Sequence, residues 1–420
     1  MEYGLIGEKL GHSFSKTIHS LIGSYDYSLR EVARDDLDAF MRKRDFKGIN
    51  VTIPYKTEVI PYLDSISAEA EKIGSVNTIV NESGRLRGFN TDFFGLKMLI
   101  ERQKTDLKGR NALILGTGGT SRTAKAVLES LGVAQVYQAS RNPAQGMVGY
   151  DDIANLRVDH VINTTPVGMF PNSDSSPIEL DKLKHINGIT DVIYNPLRTN
   201  LVLSGKKRGI SSSGGLFMLV AQAVHAARLF GFSSADDEQV SDIYRRILSQ
   251  KTNIVLIGMP SCGKTTIGHR VSKGLARSFV DTDQRISAKL SEMGIGMRIS
   301  EYIAERGEQS FREIETEVIR DVSRLNGVVI ATGGGAVLNP ENMRMLRQNG
   351  IVFWIDRPLE LLKATTSRPL TSTREALERK YAERSGLYEE HANVRVRNDA
   401  LPDDAVEAIV RGFNNEIACD

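Results

Sequence analysis

The chain has little of what would place it outside the ordinary class of small-molecule enzymes. Its two cysteines are Cys262, inside a glycine-rich loop, and Cys419, near the end. That count provides no disulfide framework and suits a reducing compartment. No apolar run approaches the ~20 residues of a membrane helix. The opening MEYGLIGEKLGHSFS has no basic stretch followed by a long apolar one, so no signal peptide is expected. A formal net charge of +2 offers no field for nucleic acid or a membrane surface. Cations that matter must therefore act locally, as clamps for small anions in a pocket. The single tryptophan, Trp354, lies in the apolar run IVFWID, where packing is its expected role. Internal repeats, low-complexity tracts and Pro/Ser-rich spacers are all lacking. These exclusions leave a cytoplasmic enzyme with small-molecule substrates.

What the chain does have is length and alternation. Its 420 residues exceed what one hydrophobic core usually supports, so two or three domains are expected. Short Val/Ile-rich runs alternate with helix-period segments, the pattern of α/β domains with parallel sheets. Strands are expected at Tyr3–Gly7, Gly48–Ile53, Asn111–Gly116, Gln135–Ser140, His160–Thr164 and Thr190–Tyr194. The pattern restarts with a fresh strand at Asn253–Gly258, which puts a domain boundary near residue 250, between 1–250 and 251–420.

The sharpest motif follows that fresh strand. GMPSCGKT, Gly258 to Thr265, fits G-x-x-x-x-G-K-[ST] in a strand–loop–helix setting. The loop around Gly258, Ser261 and Gly263 can turn backbone N–H groups toward a β-phosphate, aided by the helix start at Thr265 and Thr266. Lys264 can reach the β- and γ-phosphates, and the Thr265 hydroxyl can ligate Mg²⁺. By itself the loop implies a nucleoside triphosphate and leaves the acceptor open. Further on, Asp281-Thr282-Asp283 puts two carboxylates at a strand end, one for the metal and one for the substrate side if alternate residues face opposite ways. FREIE sets Arg312 and Glu315 one helical turn apart. Gly333–Gly335 allow close approach to a small ligand, and Arg368 (SRPLT) and Arg384 (RSGLY) stand in marked contexts.

The first half carries a different set. Asn111–Gly116 runs into GTGGTSRTAKAVL, a strand, a glycine turn and a helix, a dinucleotide signal of moderate specificity. The next strand ends at Ser140-Arg141, where an acidic residue would select NAD; an arginine suits the 2′-phosphate of NADP. Upstream, GHSFSKTIHS offers Ser13 and Ser15, GINVTIPYK offers Thr52 and Lys56, SVNT offers Asn77, and GFNTD offers Asp92 at a helix start. A lysine partnered by an aspartate can pass a proton to a carbonyl oxygen while hydride arrives from nicotinamide. The blander roles are a solvated lysine and a simple N-cap aspartate.

These motifs resemble two families in succession. Over about 240 residues the first half resembles shikimate dehydrogenase: the SxS pair, NVTxPxK, VNT, NTD, the GxGG loop, INTTPVGM, DVIYNPLRT and GLFMLVAQA stand in family order. The resemblance implies an α/β substrate domain (1–100 and 214–250) and a Rossmann-type NADP domain (101–213). It implies that Ser13, Ser15, Thr52, Asn77, Asp92 and Gln222 hold the substrate, with Lys56 and Asp92 catalytic. Gly116, Thr117, Gly118, Gly119, Thr120, Ser121 and Arg141 would contact NADP, and Met169, Tyr194, Gly215 and Met218 would line its nicotinamide side. Residues 252–420 resemble shikimate kinase through the P-loop, DTD, FRxxE, GGG, RPL and RxxLY. That implies a P-loop, NMP-kinase-like α/β domain with a parallel sheet, using ATP as phosphoryl donor. Asp281 and Thr265 would support Mg²⁺, and Asp283 would orient the attacking hydroxyl. Arg312, Arg384 and Gly334 would hold shikimate, and Arg368 would come from a lid. Two rival readings remain: a dehydrogenase with a nucleotide-sensing module, and the same two chemistries on other small alcohols such as quinate.

Overall fold

A computed structural model describes residues 1–11, 14–233, 236–363 and 373–420. The chain divides into two compact units, Met1–Ile247 and Leu248–Asp420.

The first unit holds two six-stranded sheets. In one, the order is Tyr27–Glu31, Tyr3–Gly7, Gly48–Val51, Thr78–Glu82, Arg85–Phe89, Ser65–Ile66, with the first three strands parallel. Thr78–Glu82 and Arg85–Phe89 form an antiparallel hairpin across Ser83 and Gly84, both at positive φ. That mirror-image turn matches the twist of the flanking strands. The other sheet is wholly parallel: Ser211–Ser213, Gly188–Asp191, His160–Asn163, Asn111–Leu115, Gln135–Ser140, Val148–Gly149. Its central strands are buried on both faces; Asn111–Leu115 is nearly all apolar, while His160–Asn163 and Gly188–Asp191 also bury His160, Asn163, Thr190 and Asp191. Strand order reverses between Asn111–Leu115 and His160–Asn163, so the loops leaving those two strands part and open a crevice at the carboxyl edge.

The helix Leu216–Leu229 is apolar on almost every side because it packs between Thr91–Arg102 and Ser15–Ile22. Gly95 lets the first pair approach. A Cβ there would stand 2.6 Å from the Met218 carbonyl and 3.0 Å from Cβ of Gln222.

The second unit is a five-stranded parallel sheet ordered Phe279–Asp281, Val329–Ala331, Asn253–Ile257, Gly350–Asp356, Val394–Arg397. Asn253–Ile257 and Gly350–Asp356 are buried along their whole length. Trp354 packs at 6.1 Å from the Tyr388 ring.

Two local expectations shift. The strand expected at Thr190–Tyr194 is Gly188–Asp191, because the Asp191 carboxylate captures the Ile193 N–H and turns the chain out of the sheet. Asp281 closes its strand but Asp283 lies in the first turn of helix Thr282–Glu292, so strand alternation does not separate the two carboxylates. Asp281 is the helix N-cap instead, accepting from the Asp283 and Gln284 N–H groups.

Candidate active sites

In the first unit, Lys56 follows the strand Gly48–Val51 and Asp92 opens the helix Thr91–Arg102. Their side chains meet at 2.6 Å, Nζ to Oδ2, both mostly shielded from solvent. The backbone ties the same neighbourhood together: Val76 N–H donates to the Lys56 carbonyl at 2.8 Å and Val51 N–H to the Asn77 carbonyl at 2.8 Å. Thr52 stands at this strand end, its methyl against Gly7. Asn77 is buried, and its Oδ1 accepts from the Thr91 N–H at 2.7 Å and from the Thr78 and Thr91 hydroxyls, each at 3.2 Å. With that oxygen saturated, Nδ2 is the group left to serve a ligand. The Thr91 hydroxyl also reaches Gln222 Oε1 at 3.4 Å. Lys56, Asp92, Thr52, Asn77 and Gln222 are therefore drawn into one place. Ser15 is buried at the start of helix Ser15–Ile22; Ser13 lies outside the described residues.

Beneath them runs a polar network that motif reading left unnoticed. Tyr27 donates to Asn50 Oδ1 at 2.7 Å, and Asn50 Nδ2 donates to the Thr78 hydroxyl at 2.9 Å. Asn50, Thr78 and Thr91 sit inside quoted motifs or beside them, but their burial appears only in three dimensions.

At the switch-point crevice, Gly116 leaves its strand at φ +104, a conformation open to glycine, and Thr164 and Thr165 crowd the place of a side chain there. Thr117 and Gly118 lead into the helix that begins at Gly119, and Gly118 and Gly119 have open space where side chains would stand. Ser121 is buried, donating to the Gly118 carbonyl at 2.6 Å and accepting from Gln138 at 3.1 Å. The helix Gly119–Ser130 thus aims its N-terminus into the crevice. Arg141 is exposed just past the neighbouring strand. On the other lip stand Met169, half exposed, and Tyr194, whose ring packs 5.5 Å from Phe14. Gly215 donates its N–H to the Ile193 carbonyl at 2.8 Å, and Met218 lies buried one turn along the helix.

In the second unit a cavity of 570 Å³ is lined by Ser261, Gly263, Lys264, Thr265, Thr266, Asp281, Asp283, Arg312, Glu315, Gly333–Gly335 and Arg384, among others. The loop from Gly258 turns through Ser261 at φ +64 and Gly263 at φ +101. Lys264 is buried and donates back to the Gly258 and Met259 carbonyls at 2.8 and 2.9 Å. The Thr265 hydroxyl donates to Asp281 Oδ2 at 2.9 Å, which pairs a hydroxyl with a carboxylate as a Mg²⁺ site needs.

Across the cavity, Arg312 bridges Glu315 and Glu308, each at 2.7 Å. Burial works against the cation, yet the two carboxylates hold its pKa above the usual arginine value. Burial raises the pKa of Glu315, opposed by Arg312. Arg384 is buried; among the described residues its Nη1 donates to the Gly334 carbonyl at 3.1 Å, Nε lies 3.9 Å from Glu383 Oε1 without a hydrogen bond, and Nη2 has no hydrogen-bond partner. A buried guanidinium with donors to spare, next to the cavity, fits a small carboxylate. Tyr388 supports the same carbonyl at 2.6 Å. Arg368 lies outside the described residues.

Comparison with known proteins finds matches to separate parts of the chain. A family model described as the shikimate dehydrogenase substrate binding domain matches residues 5–79, and one described as shikimate kinase matches residues 260–414. The shikimate dehydrogenase (NADP(+)) of Clostridium beijerinckii is 36% identical over 261 residues, covering 58% of this chain and 96% of that protein. That of Halothermothrix orenii is 37% identical over 258 residues, covering 54% and 89%. Among solved structures, a chorismate mutase/shikimate 5-dehydrogenase fusion protein from Clostridium acetobutylicum matches with TM-score 0.56 and 34% identity, covering 58% of this chain and 96% of that one. Shikimate 5-dehydrogenase from Thermus thermophilus, in complex with NADP(H) and shikimate, matches at TM-score 0.53 and 28% identity, covering 59% and 99%.

Proposed function

The chain belongs to the shikimate dehydrogenase family and carries a shikimate kinase region behind that part, and on that premise we propose that it performs two consecutive reactions. The first reduces 3-dehydroshikimate to shikimate with NADPH; the second phosphorylates shikimate with ATP and Mg²⁺ to shikimate 3-phosphate.

For the reduction, NADPH when bound supplies the hydride. Asn77 Nδ2, Thr52, Ser15 and Gln222 orient the substrate, and Lys56 gives a proton to the carbonyl oxygen. Asp92, 2.6 Å from Lys56 Nζ, holds the ammonium in place and helps return its proton. The open turn after Gly116 and the exposed Arg141 fit a phosphate-bearing dinucleotide.

For the phosphorylation, MgATP when bound supplies the phosphoryl group, with Thr265 and Asp281 holding the metal. Lys264 exchanges the loop carbonyls for phosphate oxygens. Arg384 and Arg312 hold the acceptor's carboxylate, and Asp283 orients its hydroxyl. Positioning and charge neutralisation are most of what such a reaction needs.

The observation that carries the second reaction is the 570 Å³ cavity, which collects Lys264, Thr265, Asp281, Asp283, Arg312 and Arg384. A sensing module would have no use for two acceptor-side arginines. The test is to give the purified chain 3-dehydroshikimate, NADPH and MgATP, and to follow NADPH absorbance and product masses. Shikimate 3-phosphate is the expected product; accumulation of shikimate alone would overturn the kinase assignment and leave the dehydrogenase standing.

A further inference from the structure

Asp191 is a fully buried carboxylate that takes no part in the chemistry above. At the end of strand Gly188–Asp191 its Oδ1 accepts from Asn163 Nδ2 and from the Ile193 N–H, each at 3.0 Å, and its Oδ2 accepts from the Thr199 hydroxyl at 2.6 Å. Burial lifts its pKa to about 6 against the pull of those three bonds, with no charged group among the described residues as a cause. The donors sit on three separate segments: the end of strand His160–Asn163, the turn leading to Tyr194, and the N-cap of helix Asn200–Lys207.

The tie reaches the crevice along two arms. On one, Asn163 Oδ1 accepts from the Thr165 N–H at 3.0 Å and the Thr165 hydroxyl at 2.7 Å, and the Thr165 methyl lies 2.9 Å from where a Gly116 side chain would begin. On the other, Ile193 is fixed between Asp191 and the Gly215 N–H, immediately before Tyr194. We propose that Asp191 is a positioning residue for the dinucleotide crevice, holding the Thr165 lip and the Tyr194 turn at the spacing the cofactor requires. A buried carboxylate without a counter-charge adds little net stability; a fully satisfied one imposes a single arrangement on the loops it joins.

The inference rests on the NADP reading of the first unit. Its test is steady-state shikimate oxidation, varying NADP⁺ and shikimate in turn, for wild type, Asp191→Ala, Asn163→Asp and Ile153→Ala. Asp191→Ala orphans three donors; Asn163→Asp keeps size and shape but sets a second carboxylate against the first. Ile153→Ala opens a cavity in the core of the same sheet, where Ile153 is buried and makes none of these bonds. The NADP⁺ KM is expected to rise about tenfold or more in the first two variants, with the shikimate KM changing less than threefold. For Asn163→Asp the rise should grow from pH 6 to pH 8 as the paired carboxylates lose their shared proton. Ile153→Ala should lower Tm with the NADP⁺ KM unchanged. An NADP⁺ KM within twofold of wild type in Asn163→Asp, or an equal rise in Ile153→Ala, overturns the inference. A wild-type chain that does not turn over NADP⁺ at all overturns the underlying reading instead.

Discussion

Gly335→Ala is the substitution whose consequence the second site defines most closely. A Cβ at Gly335 would begin 2.6 Å from Cζ of Arg312 and closer still to both Nη atoms. Ordinary carbon contact needs about 3.5 Å, so the guanidinium must retreat by about 1 Å. Arg312 cannot do so freely, because its two ion pairs, to Glu315 and Glu308, are each 2.7 Å long and would stretch past hydrogen-bonding range. A hydrogen bond to a charged group is worth about 1.5–3 kcal/mol, so misplacing this cation by one such bond costs roughly 10- to 150-fold in acceptor binding. The expected result is a shikimate KM raised by about that range in ADP-release assays, with the ATP KM little changed. NADP-linked turnover by the same polypeptide checks that the chain is folded. A shikimate KM within twofold of wild type would refute the placement of Arg312 against the acceptor.

Three further outcomes are expected. Asp191→Asn should change how stability depends on pH: the wild-type carboxyl has its pKa raised from 3.8 to about 6, so folding favours its protonated form and stability falls as pH climbs from about 4 to 6. The variant lacks that loss, so its stability relative to wild type should rise by about 2 kcal/mol between pH 4 and pH 7; calorimetry of the transition that NADP⁺ raises would show it, and a constant gap would sink the idea. Lys56→Met should lower dehydrogenase kcat by roughly 10²–10⁴-fold while phosphorylation of added shikimate continues; a kcat within tenfold of wild type would remove Lys56 as the proton donor. Arg141→Asp should shift the ratio of kcat/KM values from NADP⁺ toward NAD⁺, and an unchanged ratio would mean that Arg141 does not read the 2′-phosphate.

Both candidate sites are built in large part from contiguous stretches of sequence. Gly258–Thr265 is contiguous, and its strand–loop–helix setting is a local property of the chain, so phosphate chemistry follows from a single stretch of residues. The same is true of the glycine turn after Asn111–Leu115, and of Arg312 with Glu315, which one helical turn brings together. Family order then joined Lys56 to Asp92 across 36 positions, a pairing that spacing alone cannot specify. What escaped was buried polarity. Asn50, Asn163 and Asp191 fall in expected strands and Thr78 in the motif SVNT, but one dimension does not tell whether such a short polar side chain faces solvent or the interior.

The division has a physical basis. Local periodicity, turn chemistry and contiguous loops are decided by neighbours in the chain, and from these came the two α/β halves, the P-loop and the dinucleotide turn. Tertiary packing decided the rest: which donors saturate Asn77 Oδ1, how Lys56 meets Asp92, and which three segments converge on Asp191. A buried hydrogen bond takes its value from the water it replaces, and only the folded chain determines which groups lose that water.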